Sequence, residues 1–140
     1  MSAQIYQAAV KALAQAAHGQ GRLAPGCAHV RLDNPYCGDR IDLDLRVRDG
    51  RVAALAHETR GCLLCRASAS LVGLRAPGLP VAEIGQVLGD LQRLLDTGAA
   101  PQAAWQELAA LAPVSAHPAR HACVRLPFEA LLAAARQPAP

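Results

Sequence analysis

The 140-residue chain is poor in aromatic side chains, with one Trp, two Tyr and one Phe, 3% in all. Its core must therefore be built from Leu, Val, Ile and Ala, and few rings remain for stacking on nucleic-acid bases. An excess of one charge is also missing. Fourteen basic residues against 11 acidic ones leave a formal charge of +3, spread along the chain, which is not the electrostatic footprint of a nucleic-acid binder. No apolar run approaches the roughly 18 residues that a membrane-spanning helix needs. The opening stretch MSAQIYQAAVKALAQAAH lacks the basic-then-apolar order of a secretion signal. Lysine occurs once, at Lys11, and the other cations are Arg, a bias that fits GC-rich codon usage better than a functional signal. What the chain does have is apolar residues, 52% of the total, enough for a real core and too many for an intrinsically disordered segment. The resulting expectation is a cytoplasmic protein of one domain over residues 1–140, with neither nucleic acid nor a membrane as its partner.

The five cysteines are Cys27, Cys37, Cys62, Cys65 and Cys123. An odd number, unequal spacing and no export signal argue against a disulfide framework and for thiolates in metal or sulfur chemistry. The bland alternative is that free cysteines serve as small buried hydrophobes. That reading is preferred for Cys27, which lies in a Gly/Pro-rich stretch with no acidic neighbour.

Periodicity then lays out the elements. Ile5, Ala9, Ala12 and Ala16 fall at helical spacing and predict an opening helix over 4–17, followed by an irregular stretch over 18–26. A short strand over 29–33 leads into the Asn34-Pro-Tyr-Cys-Gly38 turn, where Pro fixes φ and Gly tolerates positive φ. Residues 40–48 alternate polar and apolar without a break. Ile41, Leu43, Leu45 and Val47 share one face, which predicts a half-buried strand with its polar face in water. Asp49-Gly50 is a strong hairpin signal, and 51–58 returns as the partner strand with Val52 and Leu55 apolar. A helix from Cys62 to Leu74 carries the small residues Ala67, Ser68, Ala69 and Ser70, and Pro77 and Pro80 break the chain after it. Further helices are expected over 81–96, from Pro101 through Leu111, and from Pro127 to about Arg136. A linker at 112–117, a turn or short helix at 118–123 and a loose tail at 137–140 complete the layout. Strands grouped early and helices grouped late predict an α+β fold: a small antiparallel sheet of about three strands, covered on one face by helices.

The hairpin carries a chemical consequence. Cys37 and Asp39 precede its first strand and Cys62 follows its second, so closing the hairpin brings the three together although the two cysteines lie 25 positions apart. Cys62 also falls at a helix N-terminus, where unpaired N–H groups favour a thiolate. Cys123 can fold back as a fourth ligand. Thiolates plus a carboxylate suit zinc or an iron–sulfur cluster, and spacing alone leaves that reading level with ordinary buried thiols. Cys62-x-x-Cys65 is in isolation a redox motif at a helix start, without the βαβ context such motifs usually have. His57 reads as a solvent-facing strand residue, and His18, His29 and His117 fall in expected loops with no link to a site.

Three runs, Asn34-Pro-Tyr-Cys-Gly-Asp-Arg40, Gly61-Cys-Leu-Leu-Cys-Arg-Ala-Ser-Ala-Ser70 and Pro118-Ala-Arg-His-Ala-Cys123, resemble the iron–sulfur cluster assembly scaffold family (IscU, SufU and the N-terminal domain of NifU). The family patterns are NPxCGD, GCxxxxASxS and a late cysteine ahead of the final helix, and the resemblance runs from about residue 5 to residue 136. Carried over by position, it implies that Cys37, Cys62 and Cys123 are the scaffold cysteines and Asp39 the aspartate that ligates zinc or tunes cluster release. The gap of 61 positions between Cys62 and Cys123, and Ala122 where the IscU branch has a His, make the chain most similar to the SufU branch. Arg120, three residues before Cys123, matches the SufU pattern.

The resemblance then implies a zinc-bound acceptor of sulfane sulfur from a PLP-dependent cysteine desulfurase of the SufS type, with the persulfide carried on Cys123. Apo iron–sulfur proteins or downstream assembly factors would be its recipients, and it would be an acceptor rather than an enzyme. The alternative is a scaffold that holds a [2Fe–2S] cluster on the same four residues. A zinc-stabilised interaction domain and a Cys62/Cys65 thiol oxidoreductase are the remaining readings. Cys65, His121 and Arg120 are auxiliary candidates. Arg40, Arg60 and Arg66 flank the motifs and either form a positive rim or are simply solvated.

Overall fold

A computed structural model describes residues 7–99 and 105–137. In chain order the elements are α1 (Ala8–Ala16), β1 (Ala28–Asn34), β2 (Asp39–Arg48), β3 (Arg51–Arg60), α2 (Leu63–Arg75), α3 (Ile84–Thr97) and α4 (His121–Ala135). Short 3-10 turns occupy Val81–Glu83, Gln106–Ala116 and Pro118–Arg120. The three strands pair antiparallel in the order β1-β2-β3, and α2 and α4 pack on one face of the sheet. The architecture is the α+β arrangement that the sequence predicts.

The β2–β3 hairpin orients the rest. Asp49 and Gly50 both have positive φ, at 54° and 74°, as the tight two-residue turn of this kind requires. Val52 and Leu55 are an odd number of residues apart, yet both are buried. The register explains it: Val47 faces Val52 while Arg46 faces Ala54, so Ala53 is an extra residue on β3 and the bulge flips the parity of the remaining strand residues. Ile41, Leu43 and Leu45 are buried against the helices, whereas Val47, at the hairpin tip, is exposed.

Several expectations need correction. The predicted α1 stripe of Ala9, Ala12 and Ala16 is exposed, and the helix buries Val10, Leu13 and Ala14 instead; Ile5 lies outside the described residues. Larger side chains return more on burial, so the helix turns its Val/Leu face inward. The polar face of β2 is not in water either, because Asp42 and Asp44 are buried. Asp44 accepts hydrogen bonds from Arg22 Nε (2.8 Å), His29 Nδ1 (2.6 Å) and Leu23 N (3.0 Å), and Asp42 accepts from Arg31 Nε (2.8 Å). The Gly/Pro-rich stretch before β1 is thereby pinned across that face. Burial alone would raise the Asp44 carboxyl, but the bonds from Arg22, His29 and Leu23 outweigh it and hold the group below its ordinary range. His29 is thus a strand residue tied to this network, not a loop residue.

His57 is likewise buried rather than solvent-facing. The chain around Gly19 runs along β3, with His57 N donating to Gly19 O (2.9 Å) and Gly21 N to His57 O (2.8 Å), and covers the ring. Burial holds the His57 imidazole below its usual value.

The C-terminal part differs in its boundaries. Pro101 lies outside the described residues, and the expected linker at 112–117 is mostly 3-10 helix with Val114 in the core. The last helix begins at His121, so Pro127 sits inside it rather than starting it. Pro127 has no N–H for the carbonyl of Cys123 four residues back, so the unbonded carbonyl falls in the first turn of the helix. Gln137 is held as well: its amide bonds both the N–H and the C=O of His29 (3.2 and 2.8 Å).

Candidate metal centre

The site forms where three element ends meet. β1 ends at Asn34, whose carbonyl accepts from Cys37 N (3.3 Å) and Gly38 N (2.9 Å), and whose side-chain Oδ1 accepts from Tyr36 N (3.3 Å). This doubly fixed turn carries Cys37 outward and starts β2 at Asp39. β3 ends at Arg60, Gly61 comes next, and Cys62 caps α2. The first turn of α4 brings Cys123 in from the opposite side.

Cys37 Sγ and Cys123 Sγ lie 3.4 Å apart, and with an Asp39 carboxylate oxygen all three donor atoms fall within 4.8 Å of one another. Cys37 is exposed, whereas Asp39 and Cys123 are buried. Asp39 Oδ1 accepts from Cys62 N (3.0 Å). Among the described residues, Asp39 Oδ2 is the buried side-chain N or O atom left without a hydrogen-bond partner. Burial pushes the Cys123 thiol up, and the adjoining Asp39 carboxylate and the neighbouring Cys37 and Cys62 push it further. Burial and this clustering disfavour the thiolate forms, and a bound metal ion inverts that balance. A tetrahedral zinc site spaces sulfur donors by about 3.7 Å, close to the separation seen here. A carboxylate oxygen and two sulfurs at this spacing therefore fit a borderline-soft divalent ion.

The hairpin prediction holds for Cys37, Asp39 and the backbone of Cys62. The Cys62 sulfur, however, stands outside the 4.8 Å group and accepts from Cys65 N (3.5 Å), capping α2. Cys65 is fully buried; burial, then Asp39 and the neighbouring cysteines, push its thiol up. His121 Nε2 donates to the carbonyls of Val114 (3.1 Å) and Ser115 (3.2 Å), and the ring stays out of the cluster. Arg120 is half-buried in its 3-10 turn, its N–H bonded to His117 O (2.8 Å). Cys27 is half-buried outside the cluster. Arg40 and Arg60 line a cleft that opens onto Asp39, and Arg40 is paired with Asp33 (2.7 Å).

Three residues within the quoted motifs support the site through contacts that spacing does not show. Asn34 Nδ2 approaches Cys123 Sγ (4.0 Å), and an Asn before Pro is a signal for such a turn. Gly61 passes so close to Asp39 that a Cβ there would overlap Oδ1. Ser68 Oγ donates to Val124 O (2.6 Å), tying α2 to the turn that carries Cys123.

A three-stranded sheet backed by helices, with a thiol–carboxylate cluster of metal-ligand spacing at the hairpin's open end, defines a small α+β protein. The family described as NifU-like N terminal domain matches residues 5–122, and the chain belongs to that family, which includes the iron–sulfur cluster assembly scaffolds IscU and SufU. It is 28% identical over 127 residues to the iron–sulfur cluster assembly scaffold protein IscU of Thermotoga maritima, covering 91% of this chain and 89% of the relative. It is 29% identical over 111 residues to the zinc-dependent sulfurtransferase SufU of Bacillus subtilis, covering 73% of this chain and 70% of that one. A crystal structure of a NifU-like protein (N-terminal) from Brucella abortus superposes with a TM-score of 0.89 at 28% identity, over 95% of this chain and 93% of the other. Among the described residues, no helix is long and apolar enough to cross a membrane.

Proposed function

We propose that this protein is a zinc-bound acceptor of sulfane sulfur within iron–sulfur cluster assembly, serving a PLP-dependent cysteine desulfurase. The observation that carries the reading is the orphaned, buried Asp39 Oδ2 beside two cysteine sulfurs 3.4 Å apart. Cys37, Asp39 and Cys123 supply three ligands, and Cys62 supplies the fourth once its sulfur turns from the helix cap. Zinc, when bound, stabilises the thiolate forms that burial otherwise disfavours. The Cys123 thiolate attacks the outer sulfur of the desulfurase persulfide; that S–S bond breaks, the donor cysteine leaves as a thiolate, and the sulfur remains on Cys123. Ala122 and the long segment between Cys62 and Cys123 favour the SufU branch.

The test is to incubate the zinc-loaded chain with a desulfurase and cysteine, then map sulfur by mass. Cleavage at arginine releases residues 121–125, on which a gain of about 32 Da marks a Cys123 persulfide. The gain, together with faster desulfurase turnover, is expected in the native chain and absent in Cys123→Ser. Sulfur found only on Cys37, or no change in turnover, contradicts the proposal.

A second reading, a scaffold carrying a [2Fe–2S] cluster on the same four side chains, is favoured by the greater share of the chain matched by the relative named IscU. Reconstitution with iron and sulfide that yields a stable brown chromophore, with no effect on the desulfurase, supports it instead.

A further inference from the structure

The proposed ligand set leaves Cys65 unused, although Cys65 is buried directly behind the site. Cys62 is the N-cap of α2, and its sulfur accepts the Cys65 N–H at 3.5 Å. That nitrogen is two bonds from the Cβ bearing the second sulfur, so the Cys62 sulfur already lies against the backbone of the residue that carries its partner. The pair is also unequal in access: Cys62 is half-buried and reachable, while Cys65 has no exposed surface. An accessible first cysteine at a helix N-terminus with a covered second cysteine one turn on is the division between attacking and resolving thiols.

We propose that Cys62 and Cys65 form a thiol–disulfide exchange site whose substrate is a low-molecular-weight disulfide. The Cys62 thiolate attacks one sulfur of the small disulfide, breaking its S–S bond and releasing one small thiolate. Cys65 then attacks Cys62 Sγ in the mixed disulfide, which closes the Cys62–Cys65 bond and expels the second small thiolate, and that thiolate takes up the proton Cys65 gives up. Two protein thiols are oxidised by two electrons and one small disulfide is reduced to two thiols. Excess small thiol runs the sequence backwards. The consequence, that oxidation withdraws Cys62 from the metal site, rests on the ligand set proposed above; the exchange itself does not.

The test uses the full chain, metal-free, equilibrated with graded mixtures of oxidised and reduced glutathione, acid-quenched and alkylated. Cleavage after Arg60 and Arg66 isolates residues 61–66, which carry Cys62 and Cys65 and no other cysteine. The expected product in oxidising mixtures is this peptide unalkylated and about 2 Da lighter than its dithiol form, with Cys65→Ser stalling as a glutathione adduct on Cys62. Cys37 and Cys123 are the competing pair, so the series is repeated in Cys37→Ser, where the same lighter peptide is expected. A peptide that takes two alkyl groups at every ratio overturns the proposal, as does a persistent Cys62 adduct in the native chain or a link from Cys62 to Cys37. Zinc content measured on parallel samples separates the two ideas. One zinc without the lighter peptide removes only the exchange site, and the lighter peptide from a chain that binds no zinc removes only the ligand set.

Discussion

Gly61→Ala tests the packing that aims Asp39 into the site. The backbone of Gly61 lies outside the left-handed region, so alanine is free to adopt it and the effect is purely steric. A Cβ built there overlaps Asp39 Oδ1 and lies 2.9 Å from Cγ and 3.1 Å from Cβ of the same residue. Asp39 begins a paired strand and cannot retreat through its backbone, so its carboxylate must swing and release the Cys62 N–H now held at 3.0 Å. A hydrogen bond to a charged group contributes about 1.5–3 kcal/mol. Replacing Gly stabilises by about 0.4–1 kcal/mol through the unfolded chain. The metal-free protein should therefore lose about 1–2 kcal/mol in urea unfolding. Zinc affinity, measured against a chromophoric chelator, should fall about 10- to 100-fold, the usual effect of disturbing a ligand's support. A variant within about 0.5 kcal/mol of the native stability and with unchanged zinc affinity would refute the idea that this glycine exists to admit the carboxylate.

Two further predictions concern groups away from the cluster. Because His57 has a lowered value in the fold, the unfolded chain takes up a proton first as pH drops below about 6.5. Stability is then full above that pH and declines below it, by at most about 1.4 kcal/mol per pH unit; His57→Gln should flatten the decline in urea titrations between about pH 7 and 5, and an unchanged slope speaks against a buried neutral ring. Asp44→Ala strands the Leu23 N–H and frees the stretch before β1, at a cost of about 2 kcal/mol, and the native contribution of Asp44 should persist above its unfolded value near 3.8 and vanish as pH falls through the lower folded one. Denaturation midpoints of the variant and the native chain across that range check both parts, and a variant as stable as the native chain at neutral pH contradicts the network.

The hairpin is the most legible feature of the sequence, and it carries much of the site. Unbroken alternation over β2, the Asp49-Gly50 turn and Cys62 at a helix start are enough to bring Cys37, Asp39 and Cys62 N together, as the fold does. Alternation identifies the apolar face but is silent on whether the polar face is covered, which is why the burial of Asp42 and Asp44 under Arg22, Arg31 and His29 departs from expectation. His57 departs for the same reason, since its cover comes from the stretch around Gly19, distant in sequence. Pro127 reads as a helix start by local preference, yet tertiary packing of Val124, Leu126 and Phe128 in the core extends α4 back to His121. That extension sets Cys123 in a helical first turn and fixes its approach to Cys37. The inward tilt of the Cys62 sulfur onto the α2 cap depends on one side-chain torsion, which no spacing rule encodes.

The ligand assignment itself is tested most directly by zinc content after dialysis against a small excess of the metal, in the native chain and in Cys37→Ala and Cys123→Ala. About one zinc per chain is expected in the native protein, with a loss of bound zinc in both variants. Zinc retained by both variants would contradict it, because the two sulfurs lying 3.4 Å apart would then not be holding the metal.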